Sequence, residues 1–339
     1  MITTSLTEAQ IHDHVSQLLN IHESLLKDTR RNKPFQRALK ASITRDSHVL
    51  DIGSGSGLWA ITAALLGAKR VVAIEREPML IGLIKALAHA NGVADRVEVV
   101  EGDSRHVQLA REFDVIVSET IGHVIFDEQI AEIMVDARER FLKPGGVLIP
   151  DSVTLMAAGA RLAGHPAKLP SGIPGKLDYF ESLSLNNPLG LADKKPIKLL
   201  TAARPLIALD LHRVTTAPDL QSLAATWPQC DTDGINCFVV WAEATLAKGI
   251  EISTMKTSSW SVTAYRVQPF AAARGDLEFR LTLSSDTNYW TASLSADGQR
   301  QAQSYSPAHA ATELMALTRV DPAMFEQIKR MGLMNHRVA

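Results

Sequence analysis

The run Val49-Leu-Asp-Ile-Gly-Ser-Gly-Ser-Gly57 constrains this chain more than any other segment. A strand-like start enters a turn with glycine at every second position, and a helix-like stretch, Leu58–Leu66, follows at once. Glycine has no Cβ, so such a turn lets the backbone approach a ligand closely. The alternation continues downstream. Strand-like runs at His48–Ile52, Arg70–Glu75, Arg96–Glu101, Phe113–Ser118 and Gly146–Ile149 are separated by helix-like stretches at Pro78–Asn91 and Gln129–Phe141. Strands alternating with helices predict an α/β, Rossmann-like doubly wound parallel sheet covered on both faces. Lys143-Pro-Gly-Gly146 reads as a turn before the last strand, and Thr7–Leu26 and Lys33–Leu39 read as helices ahead of the sheet.

After Pro150 helical periodicity fades. Pro, Gly, Ser and Asn gather through 165–175 and 182–191, and β-branched or alternating runs follow at Cys237–Leu246, Trp260–Val267, Leu277–Leu283 and Asn288–Leu294. These predict a β-rich, barrel-like second domain. Ala308–Leu317 and Pro322–Met331 turn helical again. The expected organisation is a helical segment over 1–45, the sheet domain over 46–150, the β-rich domain over 151–305 and a helical tail over 306–339. The active site is expected in the cleft between the two domains.

A length of 339 residues is ample for two cores. The 35 Lys and Arg against 37 Asp and Glu leave a net charge of −2, without the basic surplus of a nucleic-acid partner. Cys230 and Cys237 cannot build a disulfide framework, and nothing near them completes a zinc site, so no metal is expected. No segment reaches the roughly 18 apolar residues of a membrane span. Met1–Gln10 has neither a basic nor an apolar leader region. These features point to a cytoplasmic protein without a membrane partner.

Candidate chemistry gathers at strand ends. Asp51, Gly53, Gly55 and Gly57 form the first turn. Glu75 closes the next strand, where an acid can accept ribose hydroxyls, and Asp103 and Ser104 follow the third, where an adenine amino group can be received. All three signals fall on one edge of a parallel sheet, where ligands of such folds bind. Together they suit a nucleoside cofactor. The G-x-G-x-G form departs from the G-x-G-x-x-G of dinucleotide oxidoreductases. Beyond the next strand stand Glu119 and Glu128, nine positions apart and able to clamp a cation.

From about His22 to Asp151, and faintly to about residue 295, the chain resembles the protein arginine methyltransferase family. The resemblance rests on His22–Asp28 with Arg31 and Phe35, Val49–Gly57, Glu75, Ser118-Glu119, Phe126-Asp-Glu128 and Pro150-Asp151. It implies a methyltransferase domain whose N-terminal helix folds over S-adenosyl-L-methionine. His22, Gly53 and Glu75 would be contacts, and Arg31 would lie on the methionine carboxylate. Glu119 and Glu128 match the family's paired glutamates. They would grip a guanidinium, which stays charged and is a poor nucleophile, and orient one nitrogen for methyl transfer. The implied acceptor is arginine in a protein or peptide, or free arginine or a related metabolite. A homodimer is implied by analogy, with the nearest match to the dimerisation arm at 175–191.

The departures concern the acceptor side. Ser118-Glu-Thr-Ile-Gly-His123 lacks the aromatic residues usual between the glutamates, and Ser258-Ser259-Trp260 replaces a Thr-His-Trp loop. The family's acidic adenine contact falls nearest Arg105. Trp260 reads either as an acceptor-pocket wall or as a buried barrel residue. Two alternatives stay open: a different amine acceptor, and a scaffold that keeps the fold without catalysis, against which retention of both glutamates counts.

Overall fold

The computed structural model describes residues 8–122, 124–125, 128–164, 175, 178–216, 218–283 and 288–318. His123, Phe126, Asp127, most of 165–177 and the helix expected over Pro322–Met331 lie outside them.

Two helices open the chain, α1 (Glu8–Lys27) and α2 (Thr29–Ser42). The alternating region follows as β1 (His48–Ile52), α3 (Leu58–Leu65), β2 (Arg70–Glu75), α4 (Pro78–Ala90), β3 (Val97–Glu101), β4 (Phe113–Ser118), α5 (Ile130–Arg140) and β5 (Leu142–Ile149). Every expected strand and helix of this region is present. The strands pair in parallel in the order β3-β2-β1-β4-β5. The chain thus reverses its progress across the sheet between β1 and β4, the point where such sheets bind ligands. Leu50, Val71, Val72, Ile116 and Val117 are fully buried, as suits strands covered on both faces.

One expectation is corrected here. Lys143-Pro-Gly-Gly146 does not precede the last strand but lies within β5: Phe113 pairs with Leu142 and Val115 with Val147, so these four residues bulge from the register. Gly145, at φ 77°, makes that excursion without a Cβ clash.

The second half is antiparallel and strand-rich, as expected. It comprises β6 (Ser152–Leu162), α6 (Asp178–Ser184), β7 (Leu189–Leu191), β8 (Ile197–Leu199), β9 (Arg204–Asp210), β10 (Leu223–Asp231), β11 (Cys237–Ala247), β12 (Ile250–Ser253), β13 (Val262–Arg266), β14 (Arg274–Leu283), β15 (Asn288–Ala296), β16 (Gln299–Tyr305) and α7 (Pro307–Thr318). One sheet runs β10-β14-β15-β16; the other runs β7-β13-β11-β6-β8, with β9 on β6 and β12 on β11.

The chain divides into two compact units. The first takes residues 1–153, 209–217 and 243–260; the second takes 154–208, 218–242 and 261–339. The second unit has an aromatic core. Phe238 stacks on Phe279 at 4.5 Å, and Tyr265 meets both Phe279 and Trp290, at 5.8 and 5.1 Å. These rings come from β11, β13, β14 and β15, so aromatic contact joins its two sheets. Offset and edge contacts of this kind add about 0.5–1.5 kcal/mol each beyond area burial. Among the described residues no helix is long and apolar enough to cross a membrane.

Candidate active site

All the candidate residues fall in the first unit. The glycine turn leaves β1 beneath α1. Gly53 and Gly55 adopt φ +67° and +56°, and a Cβ on them would meet Thr120 Cγ2 at 2.9 Å and His22 Cε1 at 2.7 Å. Only glycine serves there, because both the φ and the space exclude a side chain. Gly57 faces Ile84 of α4 instead and caps α3, so its part is packing.

Asp51 is completely buried. Its Oδ2 accepts from Ala60 N at 2.9 Å, while Oδ1 is buried without a hydrogen-bond partner among the described residues. Burial pushes this carboxyl up to about 7, with the Glu75 charge adding to the rise and hydrogen bonding opposing it. Glu75 ties the turn to the next strand end: one oxygen accepts from Gly55 N at 2.7 Å, the other from Arg76 N and Glu77 N at 2.8 and 2.9 Å. Its carboxylate braces the loop, a role the sequence did not reveal. Half-buried His22 is shifted down chiefly by desolvation, against the pull of Glu75, so its imidazole is neutral at pH 7.

Asp103 carries a partner not foreseen. Arg105 donates from Nε to Oδ1 at 2.9 Å and from Nη2 to Oδ2 at 2.6 Å, which holds the carboxyl well below its ordinary range. Through Nη1 the same guanidinium reaches Gln129 Oε1 at 2.6 Å. Each carboxylate oxygen accepts more than one bond, so Asp103 keeps acceptor capacity. Ser104 is buried, and its carbonyl accepts from Arg140 Nη1 at 3.0 Å.

Glu119 leaves the end of β4 and pairs with Arg31 Nη2; the two side chains are only 9% and 5% exposed. Gly122 and Ile125 bridge in a tight antiparallel turn between the glutamates, and Ile125 takes φ 68° although fully buried. A β-branched residue there stores about 1–3 kcal/mol of strain, a cost typical of functional loops. Glu128 stands exposed just before α5, and its charge acts on Arg31.

Arg31 is the hub. Nη1 donates to Asn32 Oδ1 at 2.7 Å, and Nε is buried without a partner among the described residues. Its guanidinium carbon lies 5.7 Å from the Trp59 ring and 5.6 Å from the Trp260 ring, within cation–π range of both. Trp59 in turn stacks on Phe35 at 5.0 Å. Burial lowers Arg31 to about 10, with Asp28 and Glu128 opposing, so it remains charged at neutral pH.

Asp28 secures this arrangement. Oδ1 caps α2 by accepting from Arg30 N and Arg31 N, both at 3.1 Å. Oδ2 accepts from Ser258 N, Ser259 N and Ser259 Oγ, each at 2.7 Å. These bonds hold the carboxyl down at about 2 against desolvation. Asp28 therefore joins Arg31's helix to the loop bearing Trp260. Trp59 and Asp28, which surround Arg31, are not marked as site residues by the sequence; the one available signal is Asp28 as an N-cap ahead of Thr29-Arg-Arg31.

A 3-2-1-4-5 parallel sheet, with a glycine turn after β1, an acid ending β2 and another just after β4, defines a Rossmann-like methyltransferase domain, here followed by antiparallel sheets. The family model described as "Ribosomal protein L11 methyltransferase (PrmA)" matches residues 36–153. The Arginine N(omega)-methyltransferase of Streptomyces achromogenes subsp. streptozoticus is 32% identical over 244 residues, covering 68% of this chain and 66% of its own length. The Probable protein arginine N-methyltransferase 6 of Arabidopsis thaliana is 34% identical over 167 residues, 49% of this chain and 37% of its own. The chain thus spans about two thirds of one relative and well under half of the other. Solved structures share the fold: the Trypanosoma brucei PRMT1 enzyme-prozyme complex with AdoHcy at TM-score 0.71 and 19% identity, covering 85% of this chain and 98% of that one. Arabidopsis thaliana protein arginine methyltransferase 10 superposes at TM-score 0.69 and 19% identity, covering 84% and 97%. This chain belongs to the protein arginine methyltransferase family.

Proposed function

We propose that the protein transfers a methyl group from S-adenosyl-L-methionine to a guanidinium nitrogen of arginine. The observation that carries this reading is that Glu119 already grips a guanidinium, Arg31's own, in a buried site walled by two indoles.

The cofactor suits the residues present. Among the described residues Arg31 Nε is an unsatisfied donor and Asp51 Oδ1 an unsatisfied acceptor, complementary to an amino acid's carboxylate and ammonium. Gly53 and Gly55 keep the loop free of side chains, and His22 covers it. In this reading Asp51, Gly53, Gly55 and Gly57 shape the turn, Glu75 accepts from the ribose, and Asp103 and Ser104 serve the adenine. Bound there, S-adenosyl-L-methionine supplies an electrophilic methyl group on sulfur.

The chain's own residues bind and orient the acceptor. Glu119 and Glu128 hold the guanidinium through charge-assisted bonds and aim one nitrogen; such positioning and charge placement lower barriers by several kcal/mol. Asymmetric negative charge draws positive charge away from the attacking nitrogen. Glu128, exposed before α5, is placed to pass the released proton to water.

The acceptor is arginine in a protein or peptide, or free arginine. Two observations favour the small molecule. The Streptomyces relative is named for arginine rather than protein arginine, and Thr120-Ile121 replaces the bulky residues beside Glu119. A homodimer is supported by α6, in the arm region, which presents Tyr179 and Phe180 at 51% and 63% exposure.

The test is labelled methyl transfer to free arginine and to arginine-rich peptides in parallel. Label on either pool supports the reading and chooses the acceptor. Tight cofactor binding with neither pool labelled refutes a guanidinium acceptor.

A further inference from the structure

Glu128 is joined to α5 through a single residue, Gln129, so the backbone there sets how Glu128 is aimed. Gln129 holds φ 62° and ψ 33°, the left-handed region, and begins the helix without a side-chain cap bond. A residue with a Cβ keeps such a conformation only where its surroundings hold it. Its side chain is turned to another loop, where Oε1 accepts from Arg105 Nη1 at 2.6 Å. Arg105 is itself fixed, because Asp103 accepts from its Nε and Nη2 at 2.9 and 2.6 Å and from its backbone N–H at 3.0 Å. Glu132 and Asp136, one and two turns further along α5, act on the same positive charge. At the far end of the helix Arg140 donates to the carbonyls of Ser104 and Val107. The loop after β3 is thus fastened to both ends of α5, and Arg105 is the fastening beside Glu128. The family's acidic adenine contact falls nearest this residue in the resemblance. A guanidinium has no acceptor to offer an adenine amino group, so Arg105 serves a different purpose.

We infer that Arg105 is a positioning residue for methyl transfer: through Gln129 it fixes the backbone that aims Glu128. That glutamate holds the acceptor's guanidinium in the reading above, on which this inference rests. Without the grip of Arg105, Gln129 relaxes toward ordinary helical backbone and Glu128 turns away from its aim. The loss then falls on turnover, since the turn at Gly53–Gly57 and the cofactor contacts around it are untouched.

Gln129→Leu removes the acceptor of Arg105 and leaves the Arg105–Asp103 pair intact. Gln129 is exposed, so the variant keeps the fold. Labelled methyl transfer is measured at saturating S-adenosyl-L-methionine, on whichever pool the parent labels, free arginine or arginine-rich peptide. The kcat of Gln129→Leu should fall about 10-fold, the worth of one charge-assisted hydrogen bond felt wholly in the transition state. Affinity for S-adenosyl-L-homocysteine should stay at the parent's value. Gln129→Glu, whose carboxylate can accept from the same guanidinium, should recover most of the kcat. Arg105→Ala should lower kcat as far as Gln129→Leu does, and the two together no further. Parent kcat in Gln129→Leu, an equal loss in Gln129→Glu, or losses that multiply in the double variant would each overturn the inference. A residue that merely stabilises the fold would lower melting temperature and cofactor affinity in step with kcat, and that result overturns it too. If the parent labels neither pool, the guanidinium reading fails and takes the inference with it.

Discussion

Replacing Asp28 by asparagine exchanges one oxygen for an NH2 in a carboxylate that accepts five hydrogen bonds. With the amide oxygen left on the α2 side, the cap to Arg30 N and Arg31 N at 3.1 Å survives. The NH2 then faces the N–H groups of Ser258 and Ser259, which donated at 2.7 Å. Ser259 Oγ can turn and accept instead; the two backbone donors cannot. Two charge-assisted bonds at about 1.5–3 kcal/mol each are lost. Their sum, discounted because neighbouring bonds are not additive, is about 3–5 kcal/mol. Flipping the amide only moves the loss to the cap. Asp28→Ala loses the cap as well, about 1 kcal/mol more. Urea unfolding of parent and variant measures the difference directly, and S-adenosyl-L-homocysteine affinity should fall with it because Arg31 loses its anchor. Unfolding free energy of Asp28→Asn within about 0.5 kcal/mol of the parent, the size of an indifferent surface change, would refute the staple.

Glu119→Gln and Glu128→Gln should each abolish most labelled methyl transfer while S-adenosyl-L-methionine still binds; full turnover in both would sink the guanidinium clamp. Glu75→Ala should act on the other ligand and weaken cofactor binding measurably by calorimetry, since it removes the brace on Gly55 and, in the proposed reading, the ribose acceptor. Asp51 is raised to about 7 in the fold, above its ordinary 3.8. Its contribution is therefore fully present below about pH 4 and is lost as pH rises through 7, by the order of 4 kcal/mol. Asp51→Asn should accordingly gain stability on the parent between pH 5 and 8, and a flat difference across that range refutes the assignment. Phe180→Asp should shift the species seen by analytical ultracentrifugation toward monomer; an unchanged distribution removes α6 from the interface.

The parts legible in the sequence are those whose signal is local. β2 and β4 are short apolar runs closed by an acid or a serine, β1 runs straight into the glycine turn, and that turn at Gly53–Gly57 announces its own backbone need. Strands without such a signature were missed for specific reasons. β6, Ser152-Val-Thr-Leu-Met-Ala-Ala-Gly-Ala-Arg-Leu162, is rich in alanine and buried over most of its length, so neither period shows. β16, Gln299-Arg-Gln-Ala-Gln-Ser-Tyr305, is an edge strand, where polar side chains protect an open ladder and erase the apolar alternation.

The site divides along the same line. Glu75, Glu119 and Glu128 are readable because strand ends and spacing place them. What each touches is not, since the partners come from far along the chain. Glu119 meets Arg31 from 88 positions away, and Asp28 reaches Ser259 across 231. The lost histidine of the Thr-His-Trp loop illustrates why this matters. Read in sequence, Ser258-Ser259-Trp260 is a deletion of chemistry. In the fold, two backbone amides and one hydroxyl of this loop donate to Asp28, and the carboxylate stays ionised and buried. A loop so replaced keeps its power to position Trp260 against Arg31 but carries no titratable group of its own.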